Sequence, residues 1–483
     1  MTDDPALPPA KRWQMPDTLL ILFTLAALAW AATWLFTPGQ FALAGDPARI
    51  VPGSFTAAAG PSPAPIMGGE ARTGFIDFLF AGLVTGDRNS AAIGLMAFII
   101  VLGGVFGMVM KTGAIDAALQ SALPGGKARN ETLIIALCIA FSLAGAVFGM
   151  SEEAIALTLL LAPALTRAGY DAVTAVLVCY GASQIGFATS WMNPFSVIVA
   201  QSIAGLAPMS GLEVRAVLWL GFTLAAALFV ACHARAVRLG RRERIGTLGE
   251  AAAEAPAMAF TVAHKLVLLT VIAGVGWVAW GVSTRGYYLP EIAAQFFAVG
   301  IATAAIAHFG RIPGARVHAM VDAFREGAAQ LLPAALVVGA AKGILLILGG
   351  DDPARASLLN TLLDSLSGFT AAMPEWLTAW AMFMVQSLIN LFIASGSGQA
   401  SVTMPIMAPL ADLSGVTRQT AVLAFQLGDG FTDLVNPTSA VLMACLAAAR
   451  IGFGEWLAFI WRPVLGLMAL SSAVMVAAHL GGY

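Results

Sequence analysis

The segments Thr189-Ser-Trp-Met-Asn-Pro194 and Thr432-Asp-Leu-Val-Asn-Pro437 each interrupt a long apolar stretch of this 483-residue sequence with an Asn-Pro pair. Proline removes a backbone donor and disfavours helix in the residue before it, so each pair predicts a broken helix. Such a break frees carbonyls that can coordinate a cation and points helix N-terminal amides at a carboxylate. A single Pro kink in a membrane helix is commonly structural, whereas two kinks related by a repeat favour a binding site.

Both segments belong to an internal repeat. Thr174-Ala-Val-Leu177 recurs identically as Thr420-Ala-Val-Leu423, and Ser151-Glu-Glu-Ala154 aligns with Ser397-Gly-Gln-Ala400. Proline and glycine keep the same register at two further pairs of positions, which are Ala162-Pro163 with Ala408-Pro409 and Gly169 with Gly415. After small gaps, Gly186-Phe187 and Asn193-Pro194 correspond to Gly430-Phe431 and Asn436-Pro437. The sequence therefore predicts two homologous halves.

The composition is that of a polytopic membrane protein. Hydrophobic residues make up 59% of the chain and charged residues only 11%, whereas a soluble domain carries about a quarter charged residues. The 25 basic and 27 acidic side chains nearly balance, which excludes the basic surface that nucleic-acid binders need. All four cysteines lie in apolar runs and are expected to be buried thiols rather than disulfides: Cys138, Cys179, Cys232 and Cys445.

Seven apolar runs approach the roughly 20 residues that a membrane-crossing helix needs. They are Thr18–Phe36, Ala91–Met110, Leu212–Ala236, Thr261–Val282, Glu291–Phe309, Leu331–Leu348 and Trp456–Ala478. The positive-inside rule places Lys11, Arg12 and the five arginines of Arg235–Arg244 in the cytoplasm, and with them the N-terminus. The same rule applied to Lys127 and Arg129 requires Leu133–Tyr170 to enter the membrane and return on one side.

These side assignments, together with the repeat and the two breaks, predict an all-α polytopic membrane protein with inverted-topology repeats, two re-entrant helical hairpins and two broken helices. The hairpin tips are expected at residues 148–153 and 394–399, on opposite faces. The predicted organisation is an N-terminal span and external loop (1–90), a first repeat with its broken helix at 171–206 (91–240), a linker with scaffold spans (241–310), and an inverted second repeat with its broken helix at 417–449 (311–483).

Four acids fall in these predicted membrane-depth segments: Glu152, Glu153, Asp429 and Asp433. Intramembrane carboxylates suggest a functional site, here one that holds a coupling proton, Na⁺ or a cationic substrate group. The alternative is that some of them cap half-helices. Lys342, in the middle of the run Leu331–Leu348, either pairs with a carboxylate or extends to the interface.

Several motifs resemble the YfcC family, in the anaerobic four-carbon dicarboxylate carrier group of the ion-transporter superfamily. The resemblance runs from about Ala91 to the C-terminus and is carried by Gly107-Met-Val-Met-Lys-Thr-Gly-Ala-Ile-Asp116, Gly149-Met-Ser-Glu-Glu153, Gln184-Ile-Gly-Phe-Ala-Thr-Ser-Trp-Met-Asn-Pro194, Ser395-Gly-Ser-Gly-Gln399 and Phe425-Gln-Leu-Gly-Asp-Gly-Phe-Thr432. It implies a homodimer in the bacterial cytoplasmic (inner) membrane and an elevator-type movement of a transport domain.

The resemblance also implies site residues. Ser151, Asn193, Ser397, Thr432 and Asn436 occupy positions where the superfamily holds a carboxylate and Na⁺, with Na⁺ expected near Ser151, Asn193, Ser397 and Asn436. Ser190, Gln399 and Thr438, in the same segments, complete the expected substrate-binding set. Family members are named either as basic amino acid antiporters or as dicarboxylate carriers. Two Glu stand at the first tip, where Na⁺-coupled dicarboxylate carriers have Ser-Asn-Thr, which argues against a simple anionic substrate site. Four acids against one lysine at membrane depth favour a cation somewhere in the cycle.

These features predict an ion-coupled secondary transporter, symporter or antiporter, for a small carboxylate-bearing metabolite. An amino acid is the preferred substrate and a four-carbon dicarboxylate the alternative. No cofactor is expected beyond Na⁺ or H⁺ as coupling ion, and the partners are the small molecule and the lipid bilayer. The sequence lacks a P-loop, a His-Glu-x-x-His and a Gly-x-Ser-x-Gly motif, which argues against an ATPase or a membrane-embedded enzyme. A channel is disfavoured by the repeat with hairpins.

Overall fold

The structure is a computed structural model. It describes residues 18–44, 49–69, 72–88, 93–122, 131–151, 153–246, 259–350, 352–370, 373–437 and 439–483. The predictions for Lys11, Arg12, Lys127, Arg129, Glu152 and Thr438 therefore fall outside the described residues. Within these ranges the chain is almost entirely helical, with only four two-residue strands.

The helices, in chain order, are α1 (Thr18–Leu35), α2 (Phe78–Val84), α3 (Ile93–Lys111), α4 (Ala114–Ala122), α5 (Glu131–Phe148), α6 (Glu153–Arg167), α7 (Ala172–Val176), α8 (Ala182–Ala188), α9 (Val197–Ile203), α10 (Leu212–Arg238), α11 (Val262–Arg285), α12 (Leu289–Phe309), α13 (Val317–Ile347), α14 (Leu358–Thr370), α15 (Glu375–Asn390), α16 (Gly396–Leu413), α17 (Arg418–Thr432), α18 (Ala440–Ala448) and α19 (Phe453–Leu480). A π-helical turn, Leu177–Gly181, joins α7 to α8.

Seven of the described helices are long and apolar enough to cross a membrane: α3, α5, α10, α11, α12, α13 and α19. Six of them contain spans that the sequence predicts, and the predicted first span is the shorter apolar helix α1. Helix α5 is itself long and apolar enough to cross a membrane. That Leu133–Tyr170 enters and leaves the membrane on the same side therefore stays a prediction. One boundary is wrong, because α13 begins at Val317 and not at Leu331.

The repeat-related helices α3 and α13 pack against each other at glycines. A Cβ atom on Gly103 would lie 2.6 Å from the carbonyl oxygen of Gly327, and one on Gly107 would lie 2.3 Å from that of Ala323. A higher residue number on α3 thus contacts a lower residue number on α13, which means that the two helices run antiparallel. Oppositely oriented repeats require this arrangement of equivalent helices.

The Pro-, Gly- and Ala-rich loop Thr37–Thr73 contains two small two-stranded antiparallel sheets. Strand β1 (Gly39–Gln40) pairs with β4 (Thr56–Ala57), and β2 (Leu43–Ala44) pairs with β3 (Arg49–Ile50). The loop is attached to the first turn of α14, where Asn360 Nδ2 donates to the Gly39 carbonyl at 3.0 Å. The loop is therefore ordered where it is described.

The two halves share the same local structure at the end of each hairpin. Gly169 and Gly415 follow α6 and α16 with φ of +97° and +71°, the left-handed conformation that glycine adopts readily and that commonly ends a helix. Two residues later, Asp171 and Thr417 cap α7 and α17 by accepting from the backbone N–H of Thr174 and Thr420. The glycine register of the repeat thus corresponds to equivalent turns.

Both Asn-Pro segments break their helices, as predicted. Residues 189–196 separate α8 from α9, and residues 433–439 separate α17 from α18. The second tip differs from the prediction of 394–399, because α16 already begins at Gly396 with Ser395 as its N-cap, leaving 391–395 as the connection.

The cysteine prediction is correct for Cys138, Cys179 and Cys445, which are buried, and wrong for Cys232, which is exposed on α10. An apolar run does not distinguish a core position from an outward-facing one.

Candidate functional site

In the first half, the broken helix is fastened to the end of α5. The Ser190 hydroxyl donates to the Ala146 carbonyl at 2.5 Å and accepts from the Asn193 backbone N–H at 2.7 Å. The Asn193 side chain donates through Nδ2 to the Gly145 carbonyl at 3.2 Å. A Cβ atom on Gly149 would lie 2.9 Å from the same Nδ2, so the first tip touches the first break directly.

In the second half, an amide pair fastens the break to the end of α15. Asn436 Nδ2 donates to the Asn390 carbonyl at 2.8 Å. Asn390 Nδ2 in turn donates to Asp433 Oδ1 at 3.0 Å and to the Asp429 carbonyl at 2.8 Å. Asn390, Asp429 and Asn436 are fully buried. One side chain of α15 therefore positions both acids of the second break.

The two halves meet where α8 and α17 cross. Gln426 on α17 donates through Nε2 to the carbonyls of Ser190 at 2.7 Å and Phe187 at 3.3 Å. A Cβ atom on Gly430 would lie 2.6 Å from the Ala188 Cα, so only glycine fits at this crossing. The first break is therefore hydrogen-bonded to the helix that carries the acids of the second.

Asp429 lies at the centre of this contact. Its side chain is fully buried, and within the described part of the chain neither carboxylate oxygen has a hydrogen-bond partner. A Cβ atom on Gly396, the first residue of α16, would lie 3.0 Å from Asp429 Oδ2 and 3.3 Å from the Ser196 Cβ. The second hairpin, the first break and the second broken helix thus converge on one carboxylate.

Further polar atoms on α8, α15, α16, α17 and the first break are buried without partners among the described residues. They are Gln184 Oε1, Ser196 Oγ, Asn390 Oδ1, Gln399 Oε1 and Thr432 Oγ1. Buried polar groups almost always find a hydrogen-bond partner, because leaving one unpaired costs about 1–3 kcal/mol. Their concentration on the hairpins and breaks indicates a site that is completed by a ligand.

The predicted site residues fall into two groups. Asp429, Asp433, Thr432, Ser397 and Gln399 lie on α16, α17 and the turn after α17, and all are buried. Ser190, Asn193 and Asn436 are buried too, and each donates a hydrogen bond to a protein carbonyl, so they hold the backbone together at the breaks.

At the first tip, the structure describes only some of the predicted site residues. Ser151 is half-buried in the connection between α5 and α6. Glu153 is the first residue of α6, but its side chain lies outside the described part of the structure, as do Glu152 and Thr438.

Several carbonyls at the second break already accept from side chains. Tyr180 Oη donates to the Asp433 carbonyl at 3.0 Å, and Trp456 Nε1 donates to the Leu434 carbonyl at 2.9 Å. Among the described residues no group of three His, Cys, Asp or Glu side chains is placed to hold a metal ion.

Sequence reasoning missed three site residues: Arg215, Asn390 and Gln426. Arg215 is fully buried near the start of α10, where it donates through Nη1 to Gln426 Oε1. Asn390 and Gln426 lie outside the tip and break motifs, although Gln426 falls within the quoted segment that begins at Phe425. A charged residue within an apolar run was the available signal for Arg215.

A separate cavity of about 250 Å³ lies outside this cluster. It is bordered by Lys342 of α13, Ser401 of α16 and Arg418 of α17, together with Leu43 and Ile50 of the loop between α1 and α2. Arg418 is paired there with Asp412, at 2.6 Å between Nη2 and Oδ2. Lys342 thus lies beside the second hairpin and not in the cluster around Asp429.

The chain matches the family model of C4-dicarboxylate anaerobic carriers, DcuC, over residues 15–480. It is 42% identical over 498 residues to the Escherichia coli (strain K12) protein named "Putative basic amino acid antiporter YfcC", with 98% of each chain covered. An uncharacterized protein of Haemophilus influenzae is 29% identical over 407 residues, covering 81% of this chain and 76% of that relative. The fold resembles that of the Alcanivorax borkumensis YdaH transporter, with a TM-score of 0.72 at 16% identity over 97% of this chain and 99% of that one.

Proposed function

Because this chain belongs to the DcuC family of C4-dicarboxylate anaerobic carriers, we propose that it is an ion-coupled secondary transporter that binds a small carboxylate-bearing metabolite between its two broken helices. The chain is an integral membrane protein, with seven apolar helices long enough to span a bilayer and relatives that are transporters. The single observation that carries the proposal is the convergence of both halves on the buried Asp429 carboxylate.

The preferred substrate is an amino acid. Asp429 and Asp433 lie four residues apart on one helical face and present carboxylate groups at the point where the halves meet. Two acids in a buried site favour a positive group, either a coupling ion or the ammonium or guanidinium of a substrate. The relative named as a basic amino acid antiporter agrees with this choice. A four-carbon dicarboxylate, which the family description names, is the alternative.

The transport cycle that we propose uses the two halves as an inverted repeat. The pairs α5/α6 and α15/α16 act as re-entrant hairpins, and the domain with the broken helices moves as an elevator within a homodimer of the bacterial inner membrane, its N-terminus cytoplasmic. The coupling ion is H⁺ or Na⁺. The antiparallel packing of α3 on α13 and the equivalent hairpin ends support this arrangement.

Counterflow in proteoliposomes tests the function. Vesicles preloaded with arginine, ornithine, a neutral amino acid or a four-carbon dicarboxylate would be diluted into labelled substrate, with and without a Na⁺ or pH gradient. We expect saturable accumulation driven by an amino acid. Flux that does not saturate and shows no counterflow would identify a channel, and chemical conversion of the substrate would identify an enzyme.

Exchange with the dicarboxylate alone would replace the amino acid by the alternative substrate. In that case the hydroxyl and amide groups at the breaks would hold the carboxylates, and the acids would serve the coupling ion. Protein-free vesicles and vesicles containing Asp429→Asn provide the controls for leak and for specific binding.

A further inference from the structure

Arg215 places a guanidinium inside a predominantly apolar helix, where the two nitrogens that carry three of its five N–H donors have no hydrogen-bond partner among the described residues. The side chain is fully buried, and Nη1 donates to Gln426 Oε1. Within the described part of the chain, Nε and Nη2 have no hydrogen-bond partner. The centroid of the Tyr483 ring lies 5.9 Å from Cζ, and the Tyr483 hydroxyl also interacts with the guanidinium. A buried cation without an anion is costly, so the arrangement requires an explanation.

Two other arginines show which group binds the Nε–Nη2 edge of a guanidinium elsewhere in this chain. Arg238 directs Nε and Nη2 to Glu131 Oε1 at 2.9 and 2.5 Å. Arg418 directs Nε and Nη2 to Asp412 Oδ2 at 3.0 and 2.6 Å. The Nε–Nη2 edge is the planar fork that matches a carboxylate, and in both cases a carboxylate occupies it. In Arg215 this edge faces no acid among the described residues.

We infer that the Nε–Nη2 edge of Arg215 binds the carboxylate of the transported substrate. The inference rests on the proposed function and assigns a residue to one end of its substrate. Gln426 connects Arg215 to the site, since its Oε1 accepts from Arg215 while its Nε2 donates to the Ser190 carbonyl at the first break. The guanidinium is therefore separated from the broken helix by a single side chain.

The placement also explains how one site can hold opposite charges. Gln426 and Asp429 lie three residues apart on α17 and so share a helical face. Arg215 donates to the Gln426 side chain. The Asp429 carboxylate, which has no hydrogen-bond partner among the described residues, lies further along α17. An α-amino acid, with its carboxylate toward Arg215 and a positive group toward Asp429, is complementary to this pattern. For a dicarboxylate, Arg215 would take one of the two carboxylates.

The test compares substrates that differ only in the carboxylate. Competition of each amino acid and of its carboxamide against labelled substrate would be measured in proteoliposomes for the wild type, Arg215→Gln and Arg215→Lys. Arg325→Gln is the matched control, because Arg325 forms an exposed ion pair with Asp322 at 3.3 Å on α13. If the dicarboxylate is the substrate, its monoamide replaces the carboxamide.

We expect the wild type and Arg325→Gln to prefer the carboxylate over the amide by about 100-fold, and Arg215→Gln to lose most of that preference. Arg215→Lys keeps the charge but not the fork and should retain only part of it, which tests the assignment even if Arg215→Gln does not fold. Unchanged preference in a folded Arg215 variant that still transports would overturn the inference and leave the proposed function standing. Wild-type protein that exchanges none of these substrates would overturn both.

Discussion

Asn193 and Asn436 make equivalent hydrogen bonds in the two halves of the protein. Asn193 Nδ2 donates to the Gly145 carbonyl near the end of α5, and Asn436 Nδ2 donates to the Asn390 carbonyl at the end of α15. Each asparagine precedes the proline that breaks its helix. The Asn-Pro pair therefore both interrupts one helix and fastens the break to the first helix of the preceding hairpin.

Replacing either asparagine by alanine should impair stability and binding together. Asn193→Ala or Asn436→Ala leaves a buried carbonyl without its donor, which costs about 1–3 kcal/mol and loosens the break. We expect a lower thermal midpoint in detergent and weaker substrate affinity in counterflow. Asn360→Ala is the control, since Asn360 also donates to buried carbonyls but lies beside the external loop. Wild-type affinity in both break variants would remove the asparagines from the site.

The acids should behave in the opposite way, with function lost and stability kept. Asp429→Asn preserves the shape of a side chain that is fully buried and has no hydrogen-bond partner among the described residues. A neutral amide is less costly to bury than an unpaired carboxylate, so the thermal midpoint should stay the same or rise while exchange falls by at least about tenfold. Asp322→Asn, at an exposed position of α13, is the control. Normal exchange by Asp429→Asn at every pH and Na⁺ concentration tested would contradict the assignment.

The parts of the fold that the sequence predicts are those set by local chemistry. Gly169 and Gly415 adopt left-handed backbone conformations, and the Asn-Pro pairs end helices, because these preferences belong to the residues themselves. The start of α13 at Val317 was missed, since its first turns carry exposed charged residues such as Asp322 and Arg325. A search for apolar runs finds the membrane-spanning part of a helix and not its polar extension.

The site required information that no local pattern contains. Arg215 and Gln426 are 211 residues apart in the chain and are joined only by the packing of α10 near α17. The sequence identified Asp429 as an acid at membrane depth, but its position beside Gly396 depends on how α16 packs. Residue type thus predicts which side chains need partners, while tertiary packing decides which of them remain unpaired.

The crossing of α8 and α17 should tolerate only glycine at position 430. A methyl group there would come within 2.6 Å of the Ala188 backbone, so Gly430→Ala should separate the halves and lower stability by about 1–3 kcal/mol. Gly276→Ala on α11 is the matched control, because a Cβ atom at that position meets no other atom within 4 Å. Thermal midpoints and counterflow of the two variants check this. Equal midpoints would show that the crossing is not tightly constrained.

The buried pair of Asp171 and His233 should give the protein a measurable acid sensitivity. Asp171 Oδ2 lies 3.2 Å from His233 Nε2, and Asp171 Oδ1 accepts from the Thr174 backbone N–H at 2.9 Å. Burial by itself would raise the pKa of Asp171, but the hydrogen bonds from His233 and Thr174 outweigh it, and the net pKa is lowered. A lowered pKa means that the ionised carboxylate stabilises the folded protein at any pH above the ordinary value of about 3.9.

This contribution is lost as the pH falls through the lowered pKa of the folded state. We therefore expect Asp171→Asn to reduce the thermal midpoint at pH 7, and the difference from the wild type to shrink below about pH 4. Melting curves in detergent between pH 3 and 8 provide the measurement, with Asp322→Asn as the exposed control. A difference that stays constant over this range would mean that Asp171 stabilises α7 through its shape and not through its charge.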